Sequence, residues 1–107
     1  MIRPQFAVLS DLIVLAEQVV TRPQSARSEI IRRAELLAEV RHADARPAEG
    51  IRTTRAALVM VIVLEELLGG IGDGQAELGW LIIAGAMLPQ LRAEAFKALR
   101  NEREQRR

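Results

Sequence analysis

Apolar residues recur three and four positions apart along most of this chain, and clusters of Pro and Gly cut the pattern into segments. That spacing marks helices with one buried face. The first segment carries Leu9, Leu12, Ile13, Ala16, Val19 and Val20. It predicts a helix starting between Pro4 and Asp11. Pro4 suits a first turn, and Ser10 is a second candidate N-cap ahead of Asp11. Pro23 ends this helix, and the short turn from Thr21 to Ser25 predicts an antiparallel neighbour. The second helix, capped by Ser25 or Thr21, is expected to run to about Ala45. Ala26, Ile30, Ala34, Leu37 and Val40 form its stripe, widened by Ile31 and Leu36. Glu29 and Arg33 are spaced as a favourable pair, and Arg27, Arg32, Glu35, Glu39, Arg41 and Asp44 form a solvated face.

Residues 46–50, with Pro47 and Gly50, break the pattern. A third helix is expected from an N-cap at Thr53 or Thr54 to Gly69. Val59, Val61, Ile62 and Val63 are β-branched and suggest a strand as the rival. The apolar pattern continues through Leu68, too long for a typical strand, so helix is preferred. A fourth helix is expected from Asp73 to Leu88, where Pro89 kinks or breaks it. A fifth would run from Gln90 to about Arg103, with Leu91, Ala95, Ala98 and Leu99 on one side and frayed last residues. The pattern leaves open whether the fourth and fifth are one kinked helix.

The expected fold is therefore a single all-α domain, a bundle of four to five helices over residues 1–107. Residues 1–45 would form a first hairpin, 53–88 a very apolar second hairpin, and 90–107 a charged C-terminal helix. Composition agrees. Half of the residues are apolar, yet Phe6, Trp80 and Phe96 are the only aromatics, which suits helices better than sheets. The chain has no Cys, which excludes disulfides, thiolate metal sites and thiol nucleophiles.

Charge changes the picture more than composition does. The net charge of +1 hides a partition. Residues 56–91 hold Glu65, Glu66, Asp73 and Glu77 and no Lys, Arg or His. Residues 92–107 hold six bases against three acids. A small soluble domain normally covers apolar mass with charged neighbours, so the missing cover over 56–91 points to another copy or a partner. Val59, Ile62, Val63, Leu67, Trp80, Ile83 and Met87 are the candidate oligomer interface. Arg100, Arg103, Arg106 and Arg107 are candidates for contacting a partner or, weakly and without sequence preference, nucleic acid. The uncharged runs 56–64 and 78–88 fall short of the ~20 residues a spanning helix needs. A membrane hairpin turning at Gly69–Gly74 is the rival reading. No secretory signal pattern is visible at the N-terminus, and a cytoplasmic location is expected.

No catalytic constellation emerges. Gly69, Gly70, Gly72 and Gly74 lack the preceding strand and following Lys-Ser or Lys-Thr of a phosphate loop, and read as a helix–helix turn. His42, the only histidine, has no nucleophile or orienting group at local spacing and reads as a surface residue. No metal-ligand spacing exists, so no cofactor, metal or small-molecule substrate is expected. Glu65 and Glu66 have no base nearby in sequence; a solvated pair is the plain reading, pairing with an Arg from another helix or subunit the sharper one. Gly79, Ala84, Gly85 and Ala86 suggest a close helix approach. Trp80 reads as core or as an interface anchor. No compact helix-turn-helix is present.

Arg3-Pro4, Asp11, Ala16, Pro23, Arg27, Glu39 and Ala43-Asp44 resemble the helix punctuation of small helical proteins of alphaproteobacteria that are linked to phage-derived gene transfer agent modules. The resemblance covers roughly the first 45 residues and marks no known site. It implies a setting among small transcriptional regulators and small packaging subunits. The expected function is a non-enzymatic, self-associating interaction or adaptor protein. Two alternatives stand beside it. One is a small-terminase-like DNA-packaging subunit; the other is a small regulator docking on a protein such as the transcription machinery.

Overall fold

The computed structural model describes residues 4–22, 33–45, 52–68 and 74–105. Among these residues are four α-helices and no strand: α1 (Gln5–Thr21), α2 (Ala34–Ala45), α3 (Arg55–Leu68) and α4 (Gly74–Gln105). The fold is all-α. At 1.5 Å per residue α4 is about 48 Å long, and the molecule's longest dimension is 49 Å against 23 and 20 Å across. One helix therefore sets the length of the whole bundle.

Each helix forms for a local reason. α1 starts directly after Pro4, whose backbone is extended (φ −57°, ψ 144°) and which offers no side-chain cap. Leu9, Leu12, Leu15, Ala16 and Val19 recur on one face and are buried with Val8. Arg22, the residue before Pro23, has left the helix (φ −139°, ψ 66°), as a residue before proline tends to. Ser10 lies inside α1 and caps nothing. Thr21 does not open the second helix either; it sits in the last turn of α1 and donates its hydroxyl back to the Glu17 carbonyl at 2.8 Å.

α2 is shorter than the predicted second helix. It begins at Ala34 after a turn at Arg33, while Ser25 and the residues up to Arg32 lie outside the described set. Its buried face is Leu36, Leu37, Val40 and Ala43, and Ala34, expected in the stripe, is exposed. A single methyl group contributes little burial energy, so the two adjacent leucines set the face instead.

α3 is a helix despite its β-branched run. Thr54 is its N-cap: the hydroxyl accepts the Ala57 N–H at 3.1 Å. The neighbouring Thr53 donates to the Val40 carbonyl at 2.9 Å, which ties the start of α3 to α2. Ala56, Ala57, Met60, Val61, Val63, Leu64 and Leu67 are all buried. Much of the apolar mass that lacked charged cover in the sequence is thus covered within one chain. Asp73 and Gly69, the expected cap residues on either side of the turn, lie outside the described residues.

The alternative left open at Pro89 is decided by the structure. The predicted fourth and fifth helices are one, continuous from Gly74 to Gln105. Proline removes the N–H that would reach the Gly85 carbonyl, and its ring crowds that same carbonyl. Pro89 is exposed and its i−4 neighbour is a glycine, so the loosened turn faces solvent and has latitude to adjust. Nor is the C-terminal half a charged extension. Leu91, Ala95 and Ala98 are buried and belong to the same core as α1 and α3.

Polar ties fix that half in place. Glu102 accepts the Phe6 N–H at 2.9 Å, supplying from α4 the cap that Pro4 cannot give α1. Arg92 pairs with Glu17 at 2.7 Å, so α1 and α4 run in opposite directions. Glu94 accepts the Thr54 hydroxyl at the start of α3. Two carboxylates eight residues apart on α4 therefore stand at two helix N-termini, where negative charge is favoured.

Glu102→Ala should lower stability by about 1 kcal/mol, the usual cost of losing a cap, read as a lower midpoint in urea unfolding. An unchanged midpoint would show that Glu102 does not cap α1. Pro89→Ala should raise stability by up to about 3 kcal/mol, because it restores a hydrogen bond inside a continuous helix. A midpoint that falls or stays put would mean the helix is broken at residue 89.

Candidate interaction surface

α4 is apolar on two opposite sides. At 100° per residue, Ala84, Leu88, Leu91, Ala95 and Ala98 fall within about 80° of arc, and all five are buried. Leu78, Ile82, Ala86, Pro89, Ala93 and Phe96 fall within another arc of about 80°, roughly 160° round the helix. All six of these are exposed. Leu78 is 58% exposed, Ile82 63% and Phe96 72%. The stripe is about 27 Å long. Scattered apolar residues on a surface are ordinary, whereas a contiguous row along one helix face is a candidate interaction surface.

The two ends of the stripe differ. At the N-terminal end none of residues 75–83 is buried; Trp80 and Leu81 only pack partly against the core, and Ile83 is 39% exposed. This end is an apolar knob. At the C-terminal end Phe96 stands on the edge of a groove between α1 and α4. Phe6, Ser10, Ile13, Arg92, Ala95, Phe96 and Leu99 line a cavity of about 180 Å³ there. A second hollow of about 360 Å³ adjoins it across Phe6 and Leu99, bounded also by Pro4, Ala7, Glu102 and Arg103.

Gly79 and Gly85 contribute to this surface in a way that the expected close helix approach did not describe. A Cβ built on either would have no atom within 4 Å. Each glycine costs about 1 kcal/mol relative to alanine in a helix, and among the described residues no neighbouring helix comes within 4 Å of a Cβ at either one.

The expected interface residues divide. Val63 and Leu67 are spent inside the core, at 0% and 8% exposure, and present no surface to a second copy. Their spacing from Met60 and Leu64 places them on the buried face of α3. Val59 and Met87 are partly buried against the core, as is Trp80. Ile62, at 46%, is exposed on α3, and Ile83 is exposed on α4. Residues not singled out from the sequence, Leu78, Ile82 and Phe96, form the most exposed apolar positions.

Charged residues sort by partner. Glu65 pairs with Arg41 of α2 at 2.9 Å, so its base comes from another helix of the same chain. Glu66 is exposed, as is His42. Arg100 and Arg103 are exposed near the end of α4; Arg106 and Arg107 lie outside the described residues. Among the described residues no polar or charged side chain is buried, and no group of three or more His, Cys, Asp or Glu is placed to hold a metal ion. No described helix is long and apolar enough to cross a membrane.

No family model, curated protein or solved structure matches the chain.

The two faces of α4 should respond oppositely to substitution in dilute protein. Leu91→Ala should cost about 2–5 kcal/mol through transfer and cavity terms. Ile82→Ser should stay within about 0.5 kcal/mol. Urea unfolding of both variants checks this, and a large loss at Ile82 would mean that the chain itself covers the stripe.

Proposed function

We propose that this chain is a non-enzymatic helical interaction protein that self-associates through the solvent face of α4. The observation that carries it is the row Leu78, Ile82, Ala86, Pro89, Ala93 and Phe96, an apolar face set opposite a fully formed core. Apolar area of this shape is removed from water only by a second surface, and burial is worth about 25 cal/mol per Å². In this reading α3 packs behind α4, and α4 alone presents the surface. The setting proposed for it is a phage-derived or gene-transfer module, a reading supported only by the resemblance of the N-terminal residue pattern to proteins of such modules.

A second reading has its own observation. Lys97, Arg100 and Arg103 are exposed, and among the described residues none has an ion-pair partner. Such a cluster suits weak contact with phosphates of nucleic acid, as in a packaging subunit. Binding of that kind would fall steeply with salt, by roughly one power of the salt concentration for each phosphate contacted.

Light scattering behind size exclusion, from micromolar to submillimolar protein, tests the first reading. The mass should rise with concentration for the native chain. Ile82→Glu should hold it at the monomer, while Ile62→Glu on α3 should leave association unchanged. A monomer throughout would refute self-association. Equal loss in both variants would extend the interface to α3, and association kept by Ile82→Glu would move it off the solvent face of α4.

A further inference from the structure

We infer that the second surface is α4 of another copy, laid antiparallel across a two-fold axis near Met87, with the apolar knob of each copy seated over the α1–α4 groove of the other. This rests on the self-association reading above and adds orientation and register to it.

Three features of the surface point the same way. The stripe is close to symmetric about residue 87: Leu78 and Phe96 lie nine positions to either side, Ile82 and Ala93 five and six. A two-fold axis there sets Leu78 against Phe96 of the second copy and Ile82 against its Ala93. At the centre Gly85 falls opposite Pro89 of the second copy, and the two copies of Ala86 lie close to the axis. Crossed helices approach most closely at the crossing point and diverge away from it. Small residues at the middle and bulky ones at the ends fit that shape. Gly85 has open space around it, which leaves room for a second backbone.

The knob and the groove lie at opposite ends of α4. Residues 75–83, none of them buried, lie at one end. The hollow of about 180 Å³ beside Phe6, Ile13 and Phe96 lies toward the other. A parallel pairing sets knob on knob and hollow on hollow. Only the antiparallel pairing brings each knob to a hollow.

Charge separates the two orientations further. From Gly74 to Leu91 the sole charge on α4 is Glu77. In the C-terminal half, Arg92, Glu94 and Glu102 are engaged within the chain. Lys97, Arg100 and Arg103 remain, against Glu104. Parallel copies would set these cations beside their own images. Antiparallel copies carry these cations to opposite ends of the pair, over the half of the other copy's α4 that holds no base. Like charges set against each other across an interface disfavour that pairing. The stripe alone offers roughly 270 Å² per copy, taking a helix about 10 Å wide. A stable interface of standard size buries about 800 Å² per partner. Seating the knobs adds to the stripe, and the dimer is expected to be weak and reversible.

Because the native chain contains no cysteine, single thiols test the geometry without interference. Ala86→Cys, Leu78→Cys and Phe96→Cys are made separately, at exposed positions, and oxidised at a concentration where light scattering reports the association state. Ala86→Cys should form covalent dimers, because the two copies of residue 86 flank the axis. Leu78→Cys alone and Phe96→Cys alone should each give few, since like residues stand about 27 Å apart. Mixing the two should restore the cross-link at least several-fold above either one. Dimers of Leu78→Cys with itself, as abundant as those of Ala86→Cys, would overturn the antiparallel arrangement and leave self-association standing. A dimer by scattering with no cross-link at any position would overturn the α4 surface. A monomer at every concentration would bring down both this proposal and the reading beneath it.

Discussion

The bundle depends on α4 remaining one helix across Pro89. A proline inside a helix costs about 3 kcal/mol, and that cost must be met by contacts that need the helix to continue. Leu88 and Leu91 flank the proline and are both buried. Burying a leucine is worth about 1.5–3 kcal/mol, so the pair suffices to offset the lost bond and the ring clash. Beyond them, Arg92, Glu94 and Glu102 reach α1 and the start of α3 only if the C-terminal half keeps the axis of the first. Were α4 to break at residue 89, the α1 N-terminus would lose its cap from Glu102 and the core would lose Ala95 and Ala98. Continuity of one helix thus holds both ends of the molecule together.

Most of the helical content could be read from the chain, because 3.6-residue periodicity is a local property. The N-cap at Thr54 was among the two candidates, and α1 ends just ahead of Pro23 as expected. What could not be read was set by tertiary contacts. Thr21 looked like an opening cap and is a closing residue, since a threonine hydroxyl serves either role depending on which carbonyl or N–H lies near. Val63 and Leu67 looked like an interface because no charged neighbour covers them in sequence; the rest of the core covers them in space. Glu65 had no base near it in sequence, and of its two readings the pairing with an Arg from another helix holds, although which Arg, Arg41 on the preceding helix, could not be read.

The missed surface has a single origin. Treating Pro89 as a helix end assigns Leu78 and Ile82 to one helix and Phe96 to another, with no fixed rotation between them. The exposed row is invisible in that description. With the helix carried through, the same residues fall in one arc. The signal was present in the spacing of 78, 82, 86, 89, 93 and 96, but it could be summed only after the proline had been placed inside a helix.

A helix that is apolar on two opposite faces cannot choose its buried side by amphipathicity alone. The choice in α4 is made by polar contacts. Glu94 and Glu102 lie toward the face that meets α1 and α3, and their acceptor groups satisfy one backbone N–H and one hydroxyl there. Turning the other face inward would leave the Phe6 N–H without that acceptor and separate Arg92 from Glu17. Hydrophobic burial supplies the driving force without direction, whereas hydrogen bonds have direction. These ties sit entirely in the C-terminal half of the helix, and residues 75–83 contribute no buried position. Local stability should therefore fall from the C-terminal end of α4 toward its N-terminal end, since buried contacts and protected hydrogen bonds govern local opening. The apolar knob is then the part of the molecule with most to gain from a second surface, and the rotation imposed by two carboxylates at the far end determines which residues it presents.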